Sequence, residues 1–116
     1  MKITRALSIR QPYAEEILTG KKVVEYRTIP TNIRERIYIY ASQKFDTFRY
    51  GCYEDEMKHK IEKLPKGVIV GTVEIVGCDD MHDEAGEYYW RLANPKRLKR
   101  PLKPKNKPQP VWFKPF

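Results

Sequence analysis

The chain has 116 residues, 41% of them hydrophobic and 33% charged. That balance suits one globular domain with a single core and excludes a disordered chain. The formal net charge of +8 is concentrated: from residue 91 onwards there are nine Lys and Arg and no acid, whereas the first 90 residues sum to −1.

A one-sign block of this kind is the footprint of a polyanion partner, nucleic acid above all, with a solvated, solubilising segment as the plainer alternative. No apolar run approaches the roughly 20 residues of a membrane-spanning helix. The opening Met1-Lys2-Ile3-Thr4-Arg5 has no apolar leader character, so a cytoplasmic protein with no membrane partner is expected.

In chain order, residues 5–9 read as a first strand, with Ala6 and Ser8 on one face and Leu7 and Ile9 on the other. Pro12, favoured at a first helical position, opens a short helix through Thr19, with Glu15 and Glu16 in its early turns and Gly20 as its stop. Residues 22–28 are rich in β-formers and predict a second strand, and residues 36–41 a third, with Ile37 and Ile39 opposite Tyr38 and Tyr40.

Residues 46–64 predict the main helix: Tyr50, Tyr53, Met57, Ile61 and Leu64 recur at spacings of three and four, with Asp46 as N-cap and Pro65 and Gly67 as the end. Residues 68–78 form the most apolar stretch and predict a central strand, in which Gly71 and Gly77 mark a bulge or a close backbone approach. Residues 88–92 predict a further strand, broken by Asn94-Pro95. Residues 99–110, with four prolines and five basic residues, predict an extended, exposed segment, and Val111-Trp112-Phe113 a last short strand. This order predicts an α+β domain over residues 1–116: a small mixed β-barrel of about six strands with two helices. It carries a helical insertion around 46–64 and a basic, Pro-rich loop around 96–110.

Two cysteines, Cys52 and Cys78, are too few for a disulfide framework, and neither belongs to a Cys-x-x-Cys pair. With His59 and His82 far apart in sequence, reduced thiols and no metal or other cofactor are expected.

The stretch Ala6-Leu7-Ser8-Ile9-Arg10-Gln11-Pro12-Tyr13-Ala14 resembles the opening of ASCH domains, a branch of the PUA-like superfamily. Gly20, Lys22, Glu25 and Arg27 match the family's Gly-x-Lys-x-x-Glu-x-Arg. Tyr40-Ala41-Ser42, the strand from Gly67 to Glu74, Tyr88-Tyr89-Trp90, Asn94-Pro95-Lys96-Arg97-Leu98 and Trp112 resemble later family motifs in order. The resemblance is closest to the domain of the thyroid-receptor-interacting transcription coactivator and to small stand-alone prokaryotic and phage proteins. It implies a PUA-like barrel with a cleft beside the first helix, binding RNA, another single-stranded nucleic acid or a modified nucleoside. Some relatives look like amidohydrolases of acylated cytidine, using a Lys–Thr–Glu set, and others like nucleases. Three departures bear on this: Tyr13 replaces a tryptophan, Tyr89 a histidine, and Glu25 stands where the hydrolase set carries its threonine.

Glu25 and Arg27, two apart on one strand, share a face and offer an acceptor beside a fork of donors, or else form a structural ion pair. Lys22 has the opposite parity and joins them only if the chain bends after Gly20; Lys21 is its substitute. In an enzyme, Lys22 and Glu25 would be the catalytic pair, acting as base and electrostatic partner on water. Ser8, Arg10 and Gln11 end the first strand beside the helix N-terminus, an anion-favouring position, although capping by Gln11 or Ser8 explains them equally. Tyr13, Tyr26 and Trp90 are the candidate stacking faces. Ser42 and Lys44 end another strand at the same rim, and Arg91, Lys96, Arg97, Lys99 and Arg100 are expected to track phosphates. The leading expectation is an RNA-binding module. The rivals are a nucleoside amidohydrolase or RNA-processing nuclease, and an adaptor for an acidic protein.

Overall fold

A computed structural model describes residues 2–45, 62–80 and 86–116. Its elements are β1 (Ala6–Gln11), α1 (Tyr13–Leu18), β2 (Val24–Arg27), β3 (Arg36–Phe45), β4 (Val68–Asp79), β5 (Tyr88–Leu102) and β6 (Trp112–Phe113). The expected second helix lies outside the described residues except at its end, where Glu62 and Lys63 are helical. Cys52, His59 and His82 lie outside them as well.

The strands form one sheet in the order β2-β5-β4-β3-β1-β6. Only β1 and β3 pair in parallel; the other ladders are antiparallel, so the sheet is mixed. The alternation expected in β1 and β3 sorts their side chains to two faces. Leu7, Ile9, Ile37, Ile39 and Ala41 join Val73, Ile75, Trp90, Leu92 and the α1 residues Ala14 and Ile17 in the main core. Ala6 and Tyr40 pack with Ile69 and Phe113 on the opposite face. Covering both faces removes from water the apolar area that drives folding, at about 25 cal/mol per Å².

The two end strands, β2 and β6, are not neighbours in the ladder, yet the sheet curls far enough for side chains to meet across the gap. Trp90 of β5 stacks on Trp112 of β6, with ring centroids 5.8 Å apart and planes 10° from parallel. Arg27 of β2 donates from Nη2 to the main-chain carbonyl of Ser8 in β1 at 2.9 Å. The result is a half-barrel whose seam is closed by side chains rather than by backbone pairing. That seam leaves polar groups accessible, and the candidate site lies there.

Two expectations for the last third of the chain are corrected. Asn94-Pro95 does not break β5. Thr72 pairs with Lys96 and Glu74 with Ala93, so Asn94 and Pro95 together stand opposite Val73 as a bulge. Asn94 takes φ 52°, a left-handed conformation that Asn tolerates, and Pro95 needs no ladder donor there. Arg36 holds the bulge, donating to Thr72 Oγ1 at 2.8 Å, Glu74 Oε1 at 3.1 Å and the Asn94 carbonyl at 2.8 Å. Glu74 is therefore a paired, half-exposed strand residue. Second, residues 96–102 belong to β5, so the Pro-rich loop is confined to 103–111. Leu98, Lys99, Arg100 and Pro101 stand opposite Val70 alone between the Gly71–Arg97 and Ile69–Leu102 pairs, which pushes these cations out of the ladder.

Gly71 marks a close approach. A Cβ there would lie 2.4 Å from Leu18 Cδ2 and 2.5 Å from the Lys96 carbonyl oxygen, so only glycine lets α1 and β5 sit against β4.

Candidate nucleic-acid interface

The helix that borders the seam is capped by a residue the sequence offered as a ligand group. Pro12 has no N–H and no side-chain acceptor. Gln11, one residue earlier and 1% exposed, takes over: its Oε1 accepts from the Glu15 N–H at 3.0 Å and its Nε2 donates to the Pro65 carbonyl at 3.0 Å. Both halves of its amide are used, which satisfies the rule for a buried polar group. Gln11 builds the wall of the cleft and does not face it.

After α1, Gly20 adopts φ +81° and the chain turns. The Lys22 N–H donates to the Glu16 carbonyl at 3.0 Å, so Lys22 belongs to this turn and β2 starts only at Val24. Strand parity therefore does not apply to Lys22, and its ammonium lies 3.6 Å from Glu25 Oε1. On β2, Glu25 and Arg27 share a face as expected. Arg27 donates from Nε and Nη2 to Glu25 Oε2, at 3.0 and 2.6 Å. Arg27 Cζ lies 5.8 Å over the Trp90 ring, and Lys22 Nζ lies 4.7 and 5.4 Å from the Tyr26 and Tyr13 ring centroids. Glu25, 7% exposed, is thus a carboxylate between two cations, each of which also rests on an aromatic face.

These groups line a hollow of about 490 Å³. Ser8, Arg10, Tyr13, Lys22, Glu25 and Arg27 all reach it, and so do Tyr26 and Glu87. A second hollow of about 600 Å³ shares Ser8, Arg10 and Arg27 with the first and continues along Ser42 and Lys44 to Lys107 and the Pro108–Pro110 wall. The Arg27 Nη1 donors make no hydrogen bond among the described residues, so this guanidinium closes the seam with Nε and Nη2 alone.

The remaining candidates are placed elsewhere. Lys21 is exposed and lines neither hollow. Arg91 packs its guanidinium over Gly77 and pairs with Asp79 at 3.2 Å. Arg97 makes a two-pronged bond to Glu15, at 2.9 and 2.8 Å, tying β5 to α1; that hydrogen bond pushes the Arg97 guanidinium pKa above its ordinary value. Both pairs are exposed, a setting in which ion pairs contribute less than about 1 kcal/mol. Lys96, Lys99 and Arg100 are exposed on β5 and line neither hollow. Trp90 is fully buried and spends its indole N–H on the Ile29 carbonyl at 3.0 Å. It supports Arg27 from below and offers no face to a base.

Sequence reasoning missed Glu87 and placed Lys107 only within a general basic segment. Lys107 joins the groove because Ser8 fastens the loop: its Oγ donates to the Gln109 carbonyl at 2.7 Å and its N–H to the Val111 carbonyl at 2.9 Å. No local signal reveals a bond across a hundred residues. Among the described residues no three His, Cys, Asp or Glu converge as a metal site, and no helix is long and apolar enough to cross a membrane.

The ASCH domain family model matches residues 7–102. The chain belongs to the ASCH domain family. Three solved structures of an ASCH protein from Zymomonas mobilis share the fold. The parent structure has a TM-score of 0.62 at 14% identity, covering 95% of this chain and 85% of that one. A tyrosine-to-phenylalanine variant gives 0.62 at 15% identity, with 97% and 90% covered. A serine-to-alanine variant gives 0.61 at 16% identity, with 95% and 86% covered. No curated protein matches the chain. The ASCH match covers α1 and β2 to β5 and all of β1 but Ala6; the loop that carries Lys107 and β6, whose Trp112 stacks on Trp90, lie beyond it.

Proposed function

We propose that this ASCH domain is an RNA-binding module whose seam cleft accepts an unpaired base or nucleoside unit. The observation that carries the reading is a single recess holding a donor, an acceptor and a stacking surface: Arg27, whose Nη1 makes no hydrogen bond among the described residues, Glu25 beside it, and Tyr26, which is 46% exposed, at the rim. A base edge presents both donors and acceptors, and its π-face stacks on aromatic rings whatever its sequence. Arg10, Lys22, Arg27, Lys44 and Lys107, five cations lining the two hollows, supply the attraction for phosphate. An RNA ligand and the unbridged Cys78 both suit a cytoplasmic setting.

The test is equilibrium titration of a short single-stranded oligoribonucleotide at increasing salt. Each phosphate contact contributes a slope of about −0.7 in log K against log salt, so four to six contacts give roughly −3 to −4. Absent or salt-independent affinity would contradict the reading.

A hydrolytic reading draws on the 3.6 Å approach of Lys22 to Glu25. It would act through water, because a side-chain hydroxyl nucleophile is not offered by the nearby threonines or by Ser8: Thr28 is exposed and lines neither hollow, Thr19 donates to the Glu16 carbonyl and Ser8 to the Gln109 carbonyl. Turnover of an acylated cytidine or of RNA, lost in both Lys22→Ala and Glu25→Ala, would promote it over binding alone.

A further inference from the structure

The second hollow differs in chemistry from the first. Among the described residues its charged lining is Arg10, Arg27, Lys44 and Lys107, without a carboxylate, whereas the first hollow sets Glu25 and Glu87 among its cations. Its floor includes Tyr40, which is 5% exposed and packs edge-on against Phe113 at 5.2 Å. Burial pushes the Tyr40 phenol above its ordinary value, so the floor adds no negative charge.

The wall that carries Lys107 is held in place. The N–H groups of Lys105 and Asn106 both donate to the Pro115 carbonyl, at 2.8 and 3.1 Å, and Asn106 Nδ2 donates to the Lys114 carbonyl at 2.8 Å. Together with the Ser8 bonds to Gln109 and Val111, these anchor the loop at both ends, and its prolines restrict what lies between. A cation presented on a fixed wall loses less conformational freedom on binding an anion than one on a mobile tail. On the opposite side, Lys44 follows the Ser42 hydroxyl, which accepts from the Lys44 N–H at 3.3 Å.

We infer that this hollow is a phosphate subsite, joined through Arg10 and Arg27 to the base recess, so that the ligand is a nucleotide or a nucleotide unit of a strand and not a free nucleoside. The inference rests on the base-binding reading of the first hollow and adds the chemical class of what that site takes. Arg27 belongs to both compartments. With Nε and Nη2 committed to Glu25 and Ser8, its Nη1 faces the choice that decides specificity, a base edge in one hollow or a phosphate oxygen in the other.

The test compares the affinities of the four ribonucleosides with those of their 5′- and 3′-monophosphates, by calorimetry at low salt. One or two charge-assisted hydrogen bonds to phosphate correspond to about tenfold tighter binding or more. At least one monophosphate is therefore expected to bind at least about tenfold tighter than its nucleoside. In the Lys44→Ala/Lys107→Ala double variant that ratio is expected to fall close to one, and in the Lys44→Arg/Lys107→Arg variant to persist. Both lysines are exposed, and a thermal melt of each variant verifies the fold. Equal binding of nucleosides and monophosphates, or a ratio unchanged in the double alanine variant, would overturn the phosphate subsite while leaving the base-binding reading in place. Absence of binding by any of these ligands would overturn both.

Discussion

Replacing Arg27 by methionine is expected to lower the unfolding free energy by about 3 kcal/mol and to remove most of the RNA affinity. Two effects add in the first number. Among the described residues the methionine leaves the Glu25 carboxylate, 7% exposed, with only Lys22 at 3.6 Å as a partner, and deleting one member of a buried ion pair costs about 3–5 kcal/mol. It also frees the Ser8 carbonyl from the bond that closes the seam. The Arg27 side chain is 20% exposed, so water screens part of the loss and the lower end of the range applies. In a domain of this size such a change shifts the melting temperature by on the order of 10 °C. The control is the double variant Arg27→Met/Glu25→Gln, which removes the orphaned charge and is expected to recover part of the stability while leaving RNA affinity low. A melting temperature unchanged in Arg27→Met would mean that the guanidinium is a surface group and that the seam closes without it.

The second large effect is expected at Trp90. The residue is fully buried, stacks on Trp112, lies beneath the Arg27 guanidinium and donates its indole N–H to the Ile29 carbonyl at 3.0 Å. In the ladder it sits between Glu25 of β2 and Cys78 of β4. Truncating a buried tryptophan to alanine costs about 3–5 kcal/mol through lost transfer energy and an unfilled cavity. Native domains are stable by only about 5–15 kcal/mol, so Trp90→Ala should leave the chain marginally folded in urea titrations. Trp90→Phe keeps most of the ring packing and loses the hydrogen bond to Ile29, for a smaller cost of about 1–2 kcal/mol. A loss below about 1 kcal/mol in the alanine variant would show that the stacked pair does not hold the two ends of the sheet together.

The fold was legible where periodicity and local stereochemistry decide it. Leu7 and Ile9 against Ala6 and Ser8, and Ile37 and Ile39 against Tyr38 and Tyr40, predicted which side chains share a face, and both faces carry core clusters. Gly20 predicted the end of α1, and it takes the left-handed φ that favours glycine. The Asn94-Pro95 expectation failed because the two breakers fall together in a bulge that requires what each can do. The site was legible where residues lie close in sequence, as Lys22, Glu25 and Arg27 do. The parity objection to Lys22 disappeared because a turn hydrogen bond to Glu16, not a strand, sets its direction.

Most of the C-terminal cations were not legible in the same way. Charge counting gives their number and cannot show that Arg97 meets Glu15 or that Arg91 meets Asp79, since each partner is brought in by the fold. The positive groups that reach the hollows come instead from four separate places: Arg10 in β1, Lys22 and Arg27 in and before β2, Lys44 in β3, and Lys107 in the loop before β6. Composition counts the cations, and only the curled sheet says which of them line the hollows.

In the proposed binding mode nucleic acid engages the seam and not the β5 cations outside it. The most direct measurement is amide chemical-shift mapping during titration with a short single-stranded oligoribonucleotide. The largest changes are predicted at Ser8, Arg10, Tyr13 and the 22–27 segment, with smaller ones at Lys44 and Lys107. Changes centred on Lys96, Lys99 and Arg100, with the 22–27 amides unmoved, would contradict the assignment of the cleft.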